Sequence, residues 1–178
     1  MKKIEIFGDD YCKECEKSRT ACRGIVLHEN KILMSYESVT DQWMIPGGGI
    51  EEGEDERDCC AREIEEETGI RVEPLECALQ IDEYYGNVKW VNKYFLCKFV
   101  GKTEMKLTEA EKEVGMEPRW ALLEDIVRIF SKHEDYKESN AFKQGMYYRE
   151  YLALEQLRQA IDWKQKGVHD ERNNTAER

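Results

Sequence analysis

Glu63, Glu66 and Glu67 stand at i, i+3 and i+4 within one stretch, Gly48 to Ile70, which reads GGIEEGEDERDCCAREIEEETGI. On an α-helix these three residues share a face. Carboxylates packed that closely repel one another unless cations neutralise them. Oxygen donors at this density suit hard divalent ions such as Mg²⁺ or Mn²⁺, which keep part of their water and bridge to substrate phosphates. An acidic helix face can also be simply solvated. Here it follows Pro46-Gly47-Gly48-Gly49, whose backbone can approach a ligand closely. Together the two features favour a metal–phosphate site.

The elements that must position these groups can be read on either side. A helix is expected over Asp55 to Thr68: few residues are β-branched, Cys59, Cys60, Ala61 and Ile64 supply small or apolar contacts, and Gly69 is placed to stop it. Cys59 and Cys60 have no evident base nearby and read as small core residues. Ahead of the helix, Ala21–Leu27 and Lys31–Tyr36 read as a β-hairpin around Glu29-Asn30. Arg23, inside its first strand, is a candidate to face a phosphate; the alternative is an exposed or ion-paired strand residue.

After the helix, Arg71 to Ile81 enters the sheet, Asp82 to Asn92 turns at Gly86-Asn87, and Tyr94 to Val100 alternates as a strand. Tyr84, Tyr85 and Trp90 offer aromatic faces for a nucleobase, although aromatics are also common in strands. Leu107 to Gly115 is acidic, a loop or short helix. Glu117 to Trp120 leads into a short strand and Leu123 to Phe130 into a helix. From Asn140 to Lys164 a long amphipathic helix carries Phe142, Met146, Tyr147, Tyr151, Leu154, Leu157 and Ile161 on one stripe, suited to a core or a homodimer contact. One domain over residues 21–164 is expected, with an N-terminal extension at 1–20 and a polar, disordered tail at 165–178.

Bulk properties narrow the partners. The chain has 178 residues, long enough for a substantial core, and a net charge of −11. That charge argues against a nucleic-acid polymer or an anionic membrane. It does not argue against a small nucleotide with metal ions between it and the protein. No apolar run approaches the ~20 residues that span a bilayer, and the first ten residues lack the apolar segment of a signal peptide. The cytoplasm is expected, and seven cysteines suit it as reduced thiols. Cys12 and Cys15 form a C-x-x-C pair that could instead serve zinc or redox chemistry, with His28 as a further zinc ligand.

Gly48-x5-Glu54-x7-Arg62-Glu63-Ile64-x-Glu66-Glu67-x-Gly69-Ile70 resembles the Nudix box, with every fixed position filled. Trp43-x-x-Pro46-Gly47-Gly48 resembles the family's usual approach to it. The resemblance implies an α/β fold, a mixed β-sheet sandwiched between helices. It implies hydrolysis of the pyrophosphate bond of a nucleoside diphosphate linked to a moiety X, with Mg²⁺ or Mn²⁺. Glu63, Glu66 and Glu67 match the family's metal-binding glutamates, and the carbonyl of Gly48 matches its backbone contribution. Arg62 and Glu54 match a pair that orients the loop against the helix. The general base is either a box glutamate, Glu63 first, or a later acid, for which Glu111 is preferred over Glu109 and Glu113.

Arg23, Trp43 and Tyr85 are the candidate substrate contacts. A nucleoside triphosphate, oxidised or not, ranks first as substrate. A dinucleoside polyphosphate comes second, because of Tyr84-Tyr85. A nucleotide sugar such as ADP-ribose comes third, because no proline lies between Pro74 and Pro118. The alternatives outside hydrolysis are a nucleotide-sensing module of the same fold and a thiol or zinc protein. An isoprenoid diphosphate isomerase shares the fold, but its cysteine and acid cannot be identified here.

Overall fold

The computed structural model describes residues 1–11, 14–28 and 30–175, with side chains through residue 158. Eight strands and four α-helices follow in order: β1 (Lys2–Phe7), β2 (Lys17–His28), β3 (Lys31–Glu37), β4 (Gln42–Met44), β5 (Gly47–Gly49), α1 (Glu56–Thr68), β6 (Ile70–Tyr85), β7 (Val88–Lys102), α2 (Glu109–Glu113), β8 (Met116–Leu122), α3 (Leu123–Phe130) and α4 (Ala141–Thr175). A 3-10 turn, His133–Tyr136, joins α3 to α4. The main path of the sheet is β1-β6-β7-β2-β3-β4, with β5 beside β2 and β8 beside β3. The β1–β6 and β2–β7 pairs are parallel and the others antiparallel, so the sheet is mixed.

The period-2 alternation of the strands sorts side chains between two cores. Cys22 and Val26 of β2, Leu33 of β3 and Phe95 and Cys97 of β7 pack with Cys59, Cys60 and Ile64 of α1. Their neighbours Ile25, Ile32, Met34, Tyr94 and Leu96 point the other way, to Phe130 of α3 and to Met146, Tyr147 and Leu154 of α4. The result is an α/β sandwich with α1 on one face and α3 and α4 on the other.

The local chemistry matches the elements. Asp55 caps α1 by accepting from Arg57 N at 2.9 Å, and Gly69 closes it in the left-handed conformation. Asn30, at φ 63°, turns β2 into β3, although Glu29 lies outside the described residues. The hairpin at Gly86-Asn87 forms between β6 and β7. Strand β1 lies in residues 1–20, which the sequence reading sets apart as an extension. Its Ile4 and Ile6 pack against the larger core. The backbone of α4 runs on to Thr175, into the segment read from sequence as a disordered tail. Residues 176–178 and the side chain of Ile161 lie outside the described residues. Among the described residues no helix is long and apolar enough to cross a membrane.

Candidate active site

The glycine stretch is a strand here. Ala21 to Arg23 of β2 pair with Gly49 to Gly47 of β5, which brings the loop against the sheet beside α1. Gly47, at φ 141°, holds a conformation that a side chain would strain, and a Cβ there would overlap the backbone of Cys22 and Arg23. At Gly48 a Cβ would overlap the carboxylate of Glu63. Both glycines are needed for close approach: the first of chain to chain, the second of chain to the Glu63 carboxylate.

On α1 the three glutamates are in different states. Glu67 is buried at 8 % exposure and accepts from Ser35 Oγ at 2.7 Å and from Gly47 N at 3.2 Å. Burial pushes its carboxyl up to about 7, against the two hydrogen bonds and the charge of Arg23. Glu63 is also raised, first by burial; Arg62 opposes this, while Glu66 and Glu111 add to it. Arg62 Nη1 donates to Glu63 at 2.8 Å and to Glu66 at 3.2 Å. The same guanidinium grips Glu54 through Nε at 2.7 Å and Nη2 at 2.9 Å, and reaches the carbonyl of Gly49 at 3.2 Å. Held by Arg62, Glu54 is pushed down to about 2. Arg62 thus ties loop to helix and neutralises part of the acidic face.

Glu111 caps α2: its carboxylate accepts from Thr108 N at 2.7 Å while Thr108 Oγ1 accepts from Glu111 N at 3.3 Å. It lies near enough to Glu63 to act on its charge. The loop before α2 is pinned to α1 by Lys106 N donating to Glu66 O at 2.8 Å.

The other sequence candidates fall in separate places. Arg23 points inward, its Nη1 donating to the carbonyls of Ile45 at 3.1 Å and Gly47 at 3.3 Å. Trp43 is half-buried beside Tyr36, with ring centroids 4.7 Å apart, and the Arg119 guanidinium lies 3.5 Å over Tyr36 and 5.5 Å from Trp43. Tyr85 is at the far end of β6, its ring against Gly8 and its hydroxyl near Gly145 of α4. The three aromatics of the hairpin do not make one platform. Tyr84 stacks on Phe7 at 4.8 Å, while Trp90, on the opposite face of the sheet, carries the Arg19 guanidinium at 5.4 Å. Of the C-x-x-C pair, Cys12 lies outside the described residues. Cys59 and Cys60 are fully buried, as read from sequence; the Cys59 thiol donates to the carbonyl of Gly48 at 3.7 Å.

Sequence reasoning missed Ser35 and Arg119. Ser35 carried a usable signal, as a polar residue within the apolar run ILMSY of β3. Arg119 carried none, since an arginine in a short strand reads as a solvated side chain.

Among the described residues no three acidic, histidine or cysteine side chains converge as a ready-made metal cage. The donor chemistry nevertheless fits a hard divalent ion: carboxylates share one helical face, and the glycine position beside Glu63 leaves no room for a side chain. Glu63, Glu66, Glu67 and the carbonyl of Gly48 are the groups that would hold it.

The family model of the NUDIX domain matches residues 18–142. An RNA pyrophosphohydrolase from Bartonella quintana is 30% identical over 157 residues, covering 68% of this chain and 88% of that protein. Diphosphoinositol polyphosphate phosphohydrolase 2 from Rattus norvegicus is 27% identical over 126 residues, covering 70% of this chain and 68% of that one. Among solved structures, a NUDIX hydrolase from Nitrosomonas europaea superposes with a TM-score of 0.53 at 19% identity, over 72% of this chain and 79% of that chain, a likeness of fold.

Proposed function

This chain belongs to the NUDIX family of pyrophosphohydrolases, and on that footing we propose that its substrate is a nucleoside 5′-triphosphate, cleaved at a phosphoric anhydride bond with Mg²⁺ or Mn²⁺ bound. The observation that carries the reading is the acidic face of α1 facing the glycine strand, with Glu63 against Gly48 and Glu67 held by Gly47 N. Bound there, the divalent ion supplies positive charge against the phosphate oxygens and lowers the pKa of the attacking water.

The chain's own groups do the rest. Glu63 accepts a proton from the attacking water, with Glu111 as the nearby second acid. Arg62 holds Glu63, Glu66 and the loop in register through its contacts to Glu54 and Gly49. Trp43 offers its ring to the nucleobase, steadied by Tyr36 and Arg119. Tyr85 is a more remote aromatic candidate for X.

A second reading is favoured by the RNA pyrophosphohydrolase relatives: the same triphosphate carried on the 5′ end of an RNA. The net charge of −11 argues for contact limited to the terminal nucleotides. A product-resolved screen with Mg²⁺ separates these readings. It would compare free nucleoside triphosphates, 5′-triphosphorylated RNA, dinucleoside polyphosphates and nucleotide sugars. Release of phosphate or pyrophosphate from free triphosphates at the highest kcat/KM is expected. Binding without any product would leave a sensing module and end the hydrolytic reading.

A further inference from the structure

A closed group of buried charges lies on the α4 side of the sheet, behind the glycine strand. Arg149 of α4 donates through Nη1 to Glu83 of β6 at 3.0 Å, through Nη2 to Glu150 at 2.7 Å and through Nε to the Tyr94 hydroxyl at 3.1 Å. Asn92 of β7 donates to Glu83 at 2.8 Å and accepts from Arg23 Nε at 3.3 Å. Glu150 in turn lies 3.9 Å from Arg23 Nε. Glu150, Tyr94, Glu83 and Asn92 are at most 3 % exposed, so both glutamates are held by protein groups, while Arg23 keeps a small exposed portion.

Two arginines balance two glutamates. Burial works against the charge of Arg149, yet Tyr94, Glu150 and Glu83 outweigh it and keep its pKa above the usual value. Apolar residues of similar shape would hold α4 to the sheet at least as well. What the charges add is direction: each fixes its neighbour at a set angle, and the last member, Arg23, reaches the backbone at the start of the glycine strand. Its Nη1 holds the carbonyls of Ile45 and Gly47. Those bonds orient the segment whose Gly47 N–H holds Glu67 and whose next carbonyl, Gly48, faces α1.

We propose that Arg149 and Glu150 of the C-terminal helix are positioning residues for the metal-binding loop, acting through Arg23. Both lie beyond residues 18–142, the segment shared with the family. The catalytic loop is therefore held by a part of the chain outside the matched domain. The proposal rests on Glu67 and Gly48 holding the divalent ion, and its test reads that ion directly.

Mn²⁺ affinity is measured by electron paramagnetic resonance on the full chain without nucleotide, alongside kcat and KM, for wild type, Glu150→Gln, Arg23→Met and Arg23→Lys. Phe142→Ala, at an exposed position of the same helix, is the control. Glu150→Gln keeps the shape and removes the charge facing Arg23. About fivefold weaker Mn²⁺ binding and about tenfold lower kcat are expected, with KM within about twofold. Arg23→Met is expected to lose more, and Arg23→Lys, which keeps the charge and a donor, to recover part of it.

Wild-type Mn²⁺ affinity and kcat in variants that melt cooperatively would overturn the proposal. So would a rise in KM alone, which would make Arg23 a substrate contact. If Arg23→Met unfolds, Glu150→Gln and Arg23→Lys decide the question. Wild type that binds Mn²⁺ but cleaves no nucleotide defeats the functional reading and leaves the Mn²⁺ comparison to judge the network. Wild type that binds no Mn²⁺ defeats both.

Discussion

The Ser35 hydroxyl donates a 2.7 Å hydrogen bond to the carboxylate of Glu67. Ser35 is itself fully buried on β3, so the bond joins that strand to α1. A hydrogen bond to a charged group contributes about 1.5–3 kcal/mol, and here it works against the burial that raises the Glu67 carboxyl.

Ser35→Ala leaves Gly47 N as the remaining hydrogen bond to Glu67 given by the structure. Turnover is expected to fall roughly tenfold at limiting Mg²⁺ and to recover in part at high Mg²⁺, because a bound cation can replace the lost polarity. A Mg²⁺ titration of kcat checks this. The same loss at every Mg²⁺ concentration would place the role of Ser35 elsewhere.

Glu66→Gln and Glu67→Gln are each expected to lower hydrolysis by a factor on the order of 10² or more while leaving the circular dichroism spectrum intact. Exhaustive chelation of wild type should abolish activity, and Mg²⁺ or Mn²⁺ should restore it. Near-normal turnover in both variants would remove these glutamates from the metal site.

The two glycines of β5 should separate folding from chemistry. Gly47→Ala places a Cβ onto backbone at a positive φ and is expected to cost about 3 kcal/mol or more in urea unfolding. Gly48→Ala meets the movable end of Glu63, so stability should change by less than about 1 kcal/mol. Activity should nevertheless collapse, because Glu63 is displaced. Equal losses of stability in the two variants would contradict the assignment.

Glu54 carries a pH signature. Its carboxyl sits at about 2 in the folded chain, against an ordinary 4.5, because Arg62 holds it ionised. The stabilisation is fully present above about pH 4.5 and is lost as pH falls through about 2. Wild type should therefore exceed Glu54→Gln in urea midpoint near neutrality, and the gap should close across that window. A gap independent of pH would mean that the pair contributes little to folding.

The elements that carry the site were legible in sequence because local rules govern them. Asp55 and Gly69 mark the ends of α1, and spacing alone puts Glu63, Glu66 and Glu67 on one face. The bounds of α3 agree with the apolar pattern residue for residue. Glu83, Asn92, Arg149 and Glu150 were not legible. Each looks like a solvated polar residue on a hairpin or helix, and only the fold of distant segments buries them together. The sharing of faces along β6 and β7 was hidden for the same reason. Pairing register decides that Tyr84 meets Phe7 while Trp90 meets Arg19, and register is a property of two strands at once.

Strand β1 pairs in parallel with β6, Lys2 opposite Leu79 and Phe7 opposite Tyr84. The residues of β1 therefore have no partner until the chain has been made as far as β6. During synthesis, Ile4 and Ile6 must wait with their apolar sides uncovered. The lysine and glutamate that alternate with them, Lys3 and Glu5, keep that waiting strand soluble and unattractive to its own neighbours on the same message.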